Sequence, residues 1–197
     1  MSKIVGLTGG IATGKSLVSS FLNQQGIPIV DADQITRQVE AKDTLGLDAI
    51  VTEFGVSILQ SDGQLNRQLL GQIVFSDVEK LRLLVRTIDP FIRNQITKEI
   101  RNLASHPLIV LDSPTLFENG YQQLVDEVLM VSCTANIQLQ RLMSRNQLSI
   151  TQANQRIKAQ WPIEIKQLLA DYVIYNSDTK DKTYQQVVGW LNKQQVF

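Results

Sequence analysis

The amino-acid sequence predicts an α/β fold built on a doubly wound, five-stranded parallel sheet, with a helical insert between the second and third strands. Three features of the 197-residue chain carry that prediction. Apolar runs such as Leu108-Ile109-Val110-Leu111 are continuous rather than alternating, as strands covered on both faces of a parallel sheet require. All but the third run are followed by a stretch of helical periodicity, the alternation that doubly wound sheets show. Residues 43–104 are helical in pattern throughout, which is too long a block for a single crossover.

The elements follow in order. Ile4-Val5-Gly6-Leu7-Thr8 is the first strand, and Ser16 to Gln25 is a helix closed by Gly26. Ile27-Pro28-Ile29-Val30 is the second strand; its proline is tolerable because it falls at the strand's start. After Asp31-Ala32-Asp33 a helix runs through Ile35 and Val39. Within the insert, Leu47, Ile50, Val51 and Phe54 recur at i, i+3, i+4 and i+7, and Gly55 and Ser61-Asp62-Gly63 mark turns. A long helix then carries Leu81, Leu84, Val85, Ile88, Ile92, Ile96 and Ile100, and Pro90 is expected to kink or divide it. Leu108 to Leu111 is the third strand, ending at Asp112, and Val125 to Val131 the fourth. Ile137 to Asn146 is a helix, Ser149 caps a second short one, Trp161-Pro162 breaks that, and Ile163 to Ala170 forms a third. Tyr172 to Tyr175 is the last strand and Thr183 to Gln194 the last helix. The expected organisation is one domain: a core (about 1–34, 105–139 and 163–197), a helical subdomain (about 35–104) and a lid (about 140–162).

The first strand leads directly into Gly9-Gly10-Ile11-Ala12-Thr13-Gly14-Lys15-Ser16, the spacing G-x-x-x-x-G-K-S. A strand feeding a Gly-rich turn and then a helix aims several backbone N–H groups and a positive helix end at one point, where a polyphosphate sits. Lys15 reaches the β- and γ-phosphates from there, and the Ser16 hydroxyl takes a place on Mg²⁺. The chain is therefore expected to bind a nucleoside triphosphate through a P-loop.

Composition excludes several other classes. Lys plus Arg equals Asp plus Glu at 19 each, so no global basic footprint points to nucleic acid or a membrane surface. No apolar stretch has the length of a transmembrane helix, and Lys3 leads straight into the strand with no room for a signal peptide. Cys133 is the only cysteine, which excludes an internal disulfide and a multi-cysteine metal site. A cytoplasmic location and a monomer or weak homo-oligomer are expected.

Ligands of open α/β sheets bind beyond the carboxyl ends of the strands, and that rule sorts the candidates. Asp31 and Asp33 lie just past the second strand, Asp112 just past the third, and Glu118 soon after. Asp33 is the first candidate for a base acting on an alcohol acceptor; Asp31 is the alternative, or the cap of the following helix. Asp112 after four apolar residues has the placing of a Walker B carboxylate, holding Mg²⁺ directly or through water. His106, the only histidine, precedes its strand and lies at the wrong edge. Arg141 and Arg145 share one helix face, and with Arg156 they form a lid that neutralises the transferring phosphoryl group.

Together these residues resemble the dephospho-CoA kinase family along nearly the whole chain. The resemblance rests on Val5-Gly6-Leu7-Thr8-Gly9-Gly10-Ile11 with Gly14-Lys15-Ser16, on Asp31-Ala32-Asp33 with Arg37, and on Asp62-Gly63 and Arg67 with Val74-Phe75-Ser76-Asp77. It also rests on Asp112-Ser113-Pro114-Thr115-Leu116-Phe117-Glu118-Asn119 and on Ala170-Asp171-Tyr172-Val173-Ile174-Tyr175-Asn176. The resemblance implies transfer of the ATP γ-phosphoryl to the ribose 3′-hydroxyl of dephospho-CoA, with Asp33 as base and Lys15, Arg141 and Arg145 stabilising the charge. It implies ATP contacts from Gly9, Gly10, Ile11, Ala12, Thr13, Gly14, Lys15, Ser16, Leu17, Arg141, Arg145 and Asn176. For dephospho-CoA it implies contacts from Thr8, Asp33, Arg37, Phe75, Asp89, Pro114, Leu116 and Glu118, and for Mg²⁺ from Ser16 and Asp112. Several positions depart from the family pattern: Ala12, Thr13 and Leu17 in and after the loop, Asn66 before Arg67, and Thr115. Asp89-Pro90 replaces a His-Pro and brings a carboxylate to a site expected to receive an anionic substrate.

Overall fold

A computed structural model describes residues 2–194. The strands β1 (Lys3–Gly9), β2 (Ile29–Asp31), β3 (Leu108–Asp112), β4 (Glu127–Ser132) and β5 (Tyr172–Tyr175) form one sheet in the order β2-β3-β1-β4-β5. β1 pairs parallel with β3 and with β4, and β4 pairs parallel with β5. The register sets Leu7 beside Asp112 and Gly9 beside Val131, so β1 delivers its glycines between the ends of β3 and β4. Residues of β1, β3 and β4 are almost wholly buried, which is why these runs lack alternation.

The helices are α1 (Lys15–Gln24), α2 (Ala32–Val39), α3 (Leu45–Phe54), α4 (Arg67–Phe75), α5 (Val78–Asn102), α6 (Ala135–Asn146), α7 (Ile150–Lys158), α8 (Ile163–Leu169) and α9 (Lys180–Lys193). On one sheet face Val18 and Leu22 of α1 and Val187, Trp190 and Leu191 of α9 pack against Val5, Leu7, Val110, Leu129, Val131 and Ile174. Each such side chain buried contributes about 1.5–3 kcal/mol. No helix among the described residues is long and apolar enough to cross a membrane.

The chain divides into two compact units, one running to Val30 and resuming at Asn102, the other Asp31–Arg101. In the second unit Ile35, Leu47, Ile50, Ile58, Leu65, Leu70, Val74, Ile88, Ile92 and Ile96 are buried and supply its core. A short 3-10 turn over Val56–Ile58 and a bridge between Leu59 and Leu65 flank the Asp62-Gly63 turn. Asn66 accepts the Leu69 N–H at 3.0 Å and caps α4, so the amide does at this position what a carboxylate would do.

Two expectations change. Pro90 does not divide α5, which runs unbroken over Val78–Asn102. The buried isoleucines at 88, 92 and 96 hold the helix through the proline, whose ring removes one N–H. The last helix starts at Lys180, not Thr183, because the Thr179 side chain accepts the Lys182 N–H and begins it earlier.

At the other end of the sheet, Glu127 accepts from Lys3 Nζ at 2.5 Å, from the buried Trp190 indole at 2.9 Å and from Gln194 at 3.1 Å. Burial alone would raise the Glu127 carboxyl, but these hydrogen bonds and the Lys3 charge outweigh it and hold the group below its ordinary value. A depressed carboxyl contributes stability above its unfolded-state pKa and loses it as pH falls through the folded-state value. Glu127→Gln should therefore melt lower than the parent at neutral pH, and thermal scans at falling pH should show the gap closing below about pH 4.

Candidate active site

The phosphate loop leaves β1 at Gly9 and enters α1 at Lys15, with Gly14 in the left-handed region at a φ of 98°. The loop is held from several sides. Thr13 Oγ1 donates to Gly10 O at 2.9 Å, and the Asn176 side-chain amide donates to Thr13 O at 2.8 Å. Asn176 follows β5, is buried, and accepts in turn from Thr183 Oγ1 at 2.9 Å. Arg141 of α6 donates to Asn176 O at 2.9 Å.

Ala12 lies at a φ of 62°, in the region that favours glycine. An L-residue there costs roughly 1–2 kcal/mol, so the departure from glycine at this position is a strained one that the surrounding contacts maintain. Thr13, the second departure in the loop, is fully buried, and its hydroxyl closes the loop onto Gly10.

Lys15 donates to Asp112 at the end of β3, and both side chains are largely buried. A buried charge must be paired or ligated, and Asp112 is the lysine's counterion. Lys15 follows β1 and Asp112 ends β3, the strand beside it, so both sit at the carboxyl end of the sheet. The Ser16 hydroxyl is exposed in the first turn of α1. Burial pushes the Cys133 thiol at the end of β4 above its ordinary value, and the neighbouring Arg141 guanidinium offsets part of that rise.

Of the expected residues, Lys15, Asp112, Thr13, Gly14, Asn176 and Arg141 are brought together. Arg145 and Arg156 are exposed, and Arg145 bonds its neighbour Asn146 at 2.9 Å. Leu116 is fully buried over Gly6, so it supports the 112–119 run from beneath and has no exposed surface to offer a substrate. Glu118 is engaged by Lys166 at 2.6 Å, and Lys166 also donates to Pro114 O at 2.9 Å; Thr8 Oγ1 reaches the same carbonyl at 3.4 Å.

In the second unit the Asp31 side chain accepts the Gln34 N–H at 3.0 Å and caps α2, while Asp33 and Arg37 are exposed on that helix and Phe75 is exposed at the end of α4. Asp89 accepts from Arg93 at 2.6 Å one turn on, so its carboxylate is neutralised locally. His106 is exposed ahead of β3.

A family model described as dephospho-CoA kinase matches residues 3–181. The chain belongs to the dephospho-CoA kinase family. It is 44% identical over 195 residues to the dephospho-CoA kinase of Enterococcus faecalis, covering 98% of each chain. A crystal structure from Thermus thermophilus superposes with a TM-score of 0.85 at 28% identity, covering 98% of this chain and 97% of that one. The dephospho-CoA kinase from Campylobacter jejuni gives 0.74 at 28% identity over the same shares. A shikimate kinase from Acinetobacter baumannii, at 15% identity and a TM-score of 0.54, shares the fold alone. As a member of this family, the chain is an ATP-dependent kinase of the P-loop fold.

Gln138, Gln160 and Lys166 are site residues that the sequence reading did not single out. Gln138 shares the α6 face with Arg141 and Arg145 at i, i+3 and i+7, a signal that was available. Lys166 gave no signal, because nothing in Ile163-Glu164-Ile165-Lys166 distinguishes a buried lysine from a solvated one.

A Cβ added to Gly14 would lie 1.9 Å from the Asn176 amide nitrogen, on a backbone already at positive φ. Gly14→Ala should therefore displace Asn176 and open the loop. Titration with fluorescent ATP should show affinity falling by at least an order of magnitude, since strain of about 1–2 kcal/mol adds to a lost buried hydrogen bond.

Proposed function

We propose that the chain transfers the γ-phosphoryl of ATP to the ribose 3′-hydroxyl of dephospho-CoA, releasing ADP and CoA. The observation that carries the reading is the buried Lys15–Asp112 pair at the mouth of a P-loop, in a chain matched over residues 3–181 by the dephospho-CoA kinase family.

The loop amides and the N-terminus of α1 cradle the β-phosphate, and Lys15 turns from Asp112 to the β- and γ-phosphates as the nucleotide enters. Asp33 accepts the proton of the 3′-hydroxyl as its oxygen forms a bond to the γ-phosphorus. The bond from that phosphorus to the bridging oxygen breaks, and ADP leaves. The Asp31 side chain caps α2. Arg141 adds positive charge beside the loop, and Arg145 comes from one turn further along the same helix.

The donor set of one hydroxyl and one carboxylate suits Mg²⁺, a hard cation that keeps several waters and takes the rest of its shell from phosphates. Ser16 and Asp112 would hold it, Asp112 directly or through water, and when bound it supplies charge neutralisation across the β- and γ-phosphates. Thr8, Arg37, Phe75, Asp89, Pro114 and Glu118 receive dephospho-CoA, and the Arg93 partner of Asp89 limits that carboxylate's repulsion of an anion. The chain acts in the cytoplasm as a monomer or weak homo-oligomer, without nucleic acid or membrane.

Asp33→Asn should retain ATP binding and lose at least ~10² in kcat, the usual contribution of a general base. A coupled ADP-release assay with dephospho-CoA against nucleoside monophosphates and adenosine checks this. Parental kcat in the variant removes Asp33 from its role, and turnover with a nucleoside monophosphate in place of dephospho-CoA overturns the substrate.

A further inference from the structure

Both main-chain groups of Ile11, in the phosphate loop, are held by glutamine side chains. Its N–H donates to Gln160 Oε1 at 2.7 Å, and its carbonyl accepts from Gln138 Nε2 at 2.8 Å. Gln138 comes from the first turn of α6, and Gln160 from the link between α7 and α8. The two glutamines therefore grip the loop from the leading and trailing ends of the α6–α7 hairpin.

The next residue ties the trailing end a second time. The Trp161 N–H donates to Glu118 Oε1 at 3.1 Å, and Glu118 is fixed by the buried Lys166. Consecutive residues 160 and 161 thus fasten the hairpin to the phosphate loop on one side and to the 112–119 run on the other.

A cavity of about 570 Å³ lies at this end, lined by Gly10, Cys133, Gln138, Trp161, Ile163 and Tyr175 among others. Where side chains do not interdigitate, directional hydrogen bonds set the position instead. An uncharged acceptor also suits the place: a glutamine oxygen satisfies the Ile11 N–H without setting a negative charge beside a polyphosphate site.

We propose that Gln160 is a positioning residue for the nucleotide phosphates. With Gln138 it locks Ile11, so that the following loop amides are aimed before ATP arrives, and it makes the loop's shape depend on where the hairpin sits. This inference rests on the nucleotide-binding reading above, but the first measurement below is made without nucleotide and does not require the acceptor assignment.

The test compares the full chain with Gln160→Met, which keeps length but removes the acceptor, and Gln160→Glu, which keeps an acceptor and adds a charge. Hydrogen exchange of the Ile11 amide in the nucleotide-free chain should speed up about tenfold in Gln160→Met and stay slow in Gln160→Glu, one hydrogen bond being worth about that factor. The KM for ATP should rise in both, several-fold in Gln160→Met through the loosened loop and in Gln160→Glu through repulsion. The KM for dephospho-CoA should be unchanged in Gln160→Met. Parental Ile11 exchange in Gln160→Met overturns the clamp. Faster exchange with an unchanged KM for ATP overturns the positioning role, and a lowered melting temperature with a fall in kcat alone reduces Gln160 to a structural residue.

Discussion

A loop that presents several of its backbone N–H groups to an anion has few donors left to hold itself, so its shape must be fixed by groups behind it. Every other feature of this site depends on that constraint. Thr13 closes the loop on Gly10, Asn176 holds Thr13, and Gln138 and Gln160 hold Ile11. Asn176 is itself set by Thr183 and Arg141. These hydrogen bonds sit in a partly or fully buried setting, where a broken one leaves an unsatisfied polar group at a cost of about 1–3 kcal/mol. The order β2-β3-β1-β4-β5 makes the arrangement possible, because β1 is central and its loop receives support from the ends of β4 and β5 while β3 supplies Asp112.

The same constraint explains which substitutions the loop accepts. Ala12 at positive φ is tolerated because neighbours on both sides of it are pinned, so the strain has no route to relax. Gly14 has no such freedom, because the space a methyl group needs is occupied by the Asn176 amide. Asn66 shows the equivalent economy in the helical unit, where either an amide or a carboxylate oxygen accepts the same N–H.

Much of this was legible in the sequence for a physical reason. Strands buried on both faces advertise themselves as continuous apolar runs, and the P-loop spacing is fixed by the turn it must make. The Ser149 cap and the Tyr172–Tyr175 strand were likewise readable from local chemistry. Residues whose role depends on tertiary neighbours were not. Lys166 looks like a surface lysine and is fully buried, and Leu116 belongs to a motif assigned to substrate yet packs over Gly6. Pro90 reads as a break, but the buried face of α5 overrides it. Gln160 offers no local signal, because what it bonds is a backbone N–H 149 positions away.

The helical unit begins at Asp31, where the cap of α2 is followed two residues later by the proposed base Asp33. A phosphate loop held in this way should serve transfer to one particular hydroxyl. The most direct measurement is phosphorus NMR and mass spectrometry of the product formed from ATP, Mg²⁺ and dephospho-CoA by the purified chain. Transfer to the ribose 3′-hydroxyl predicts one ADP per acceptor converted, with a new monoester phosphorus coupled to the ribose 3′ proton. ADP formed without a phosphorylated acceptor, or phosphate found on another hydroxyl, would contradict it.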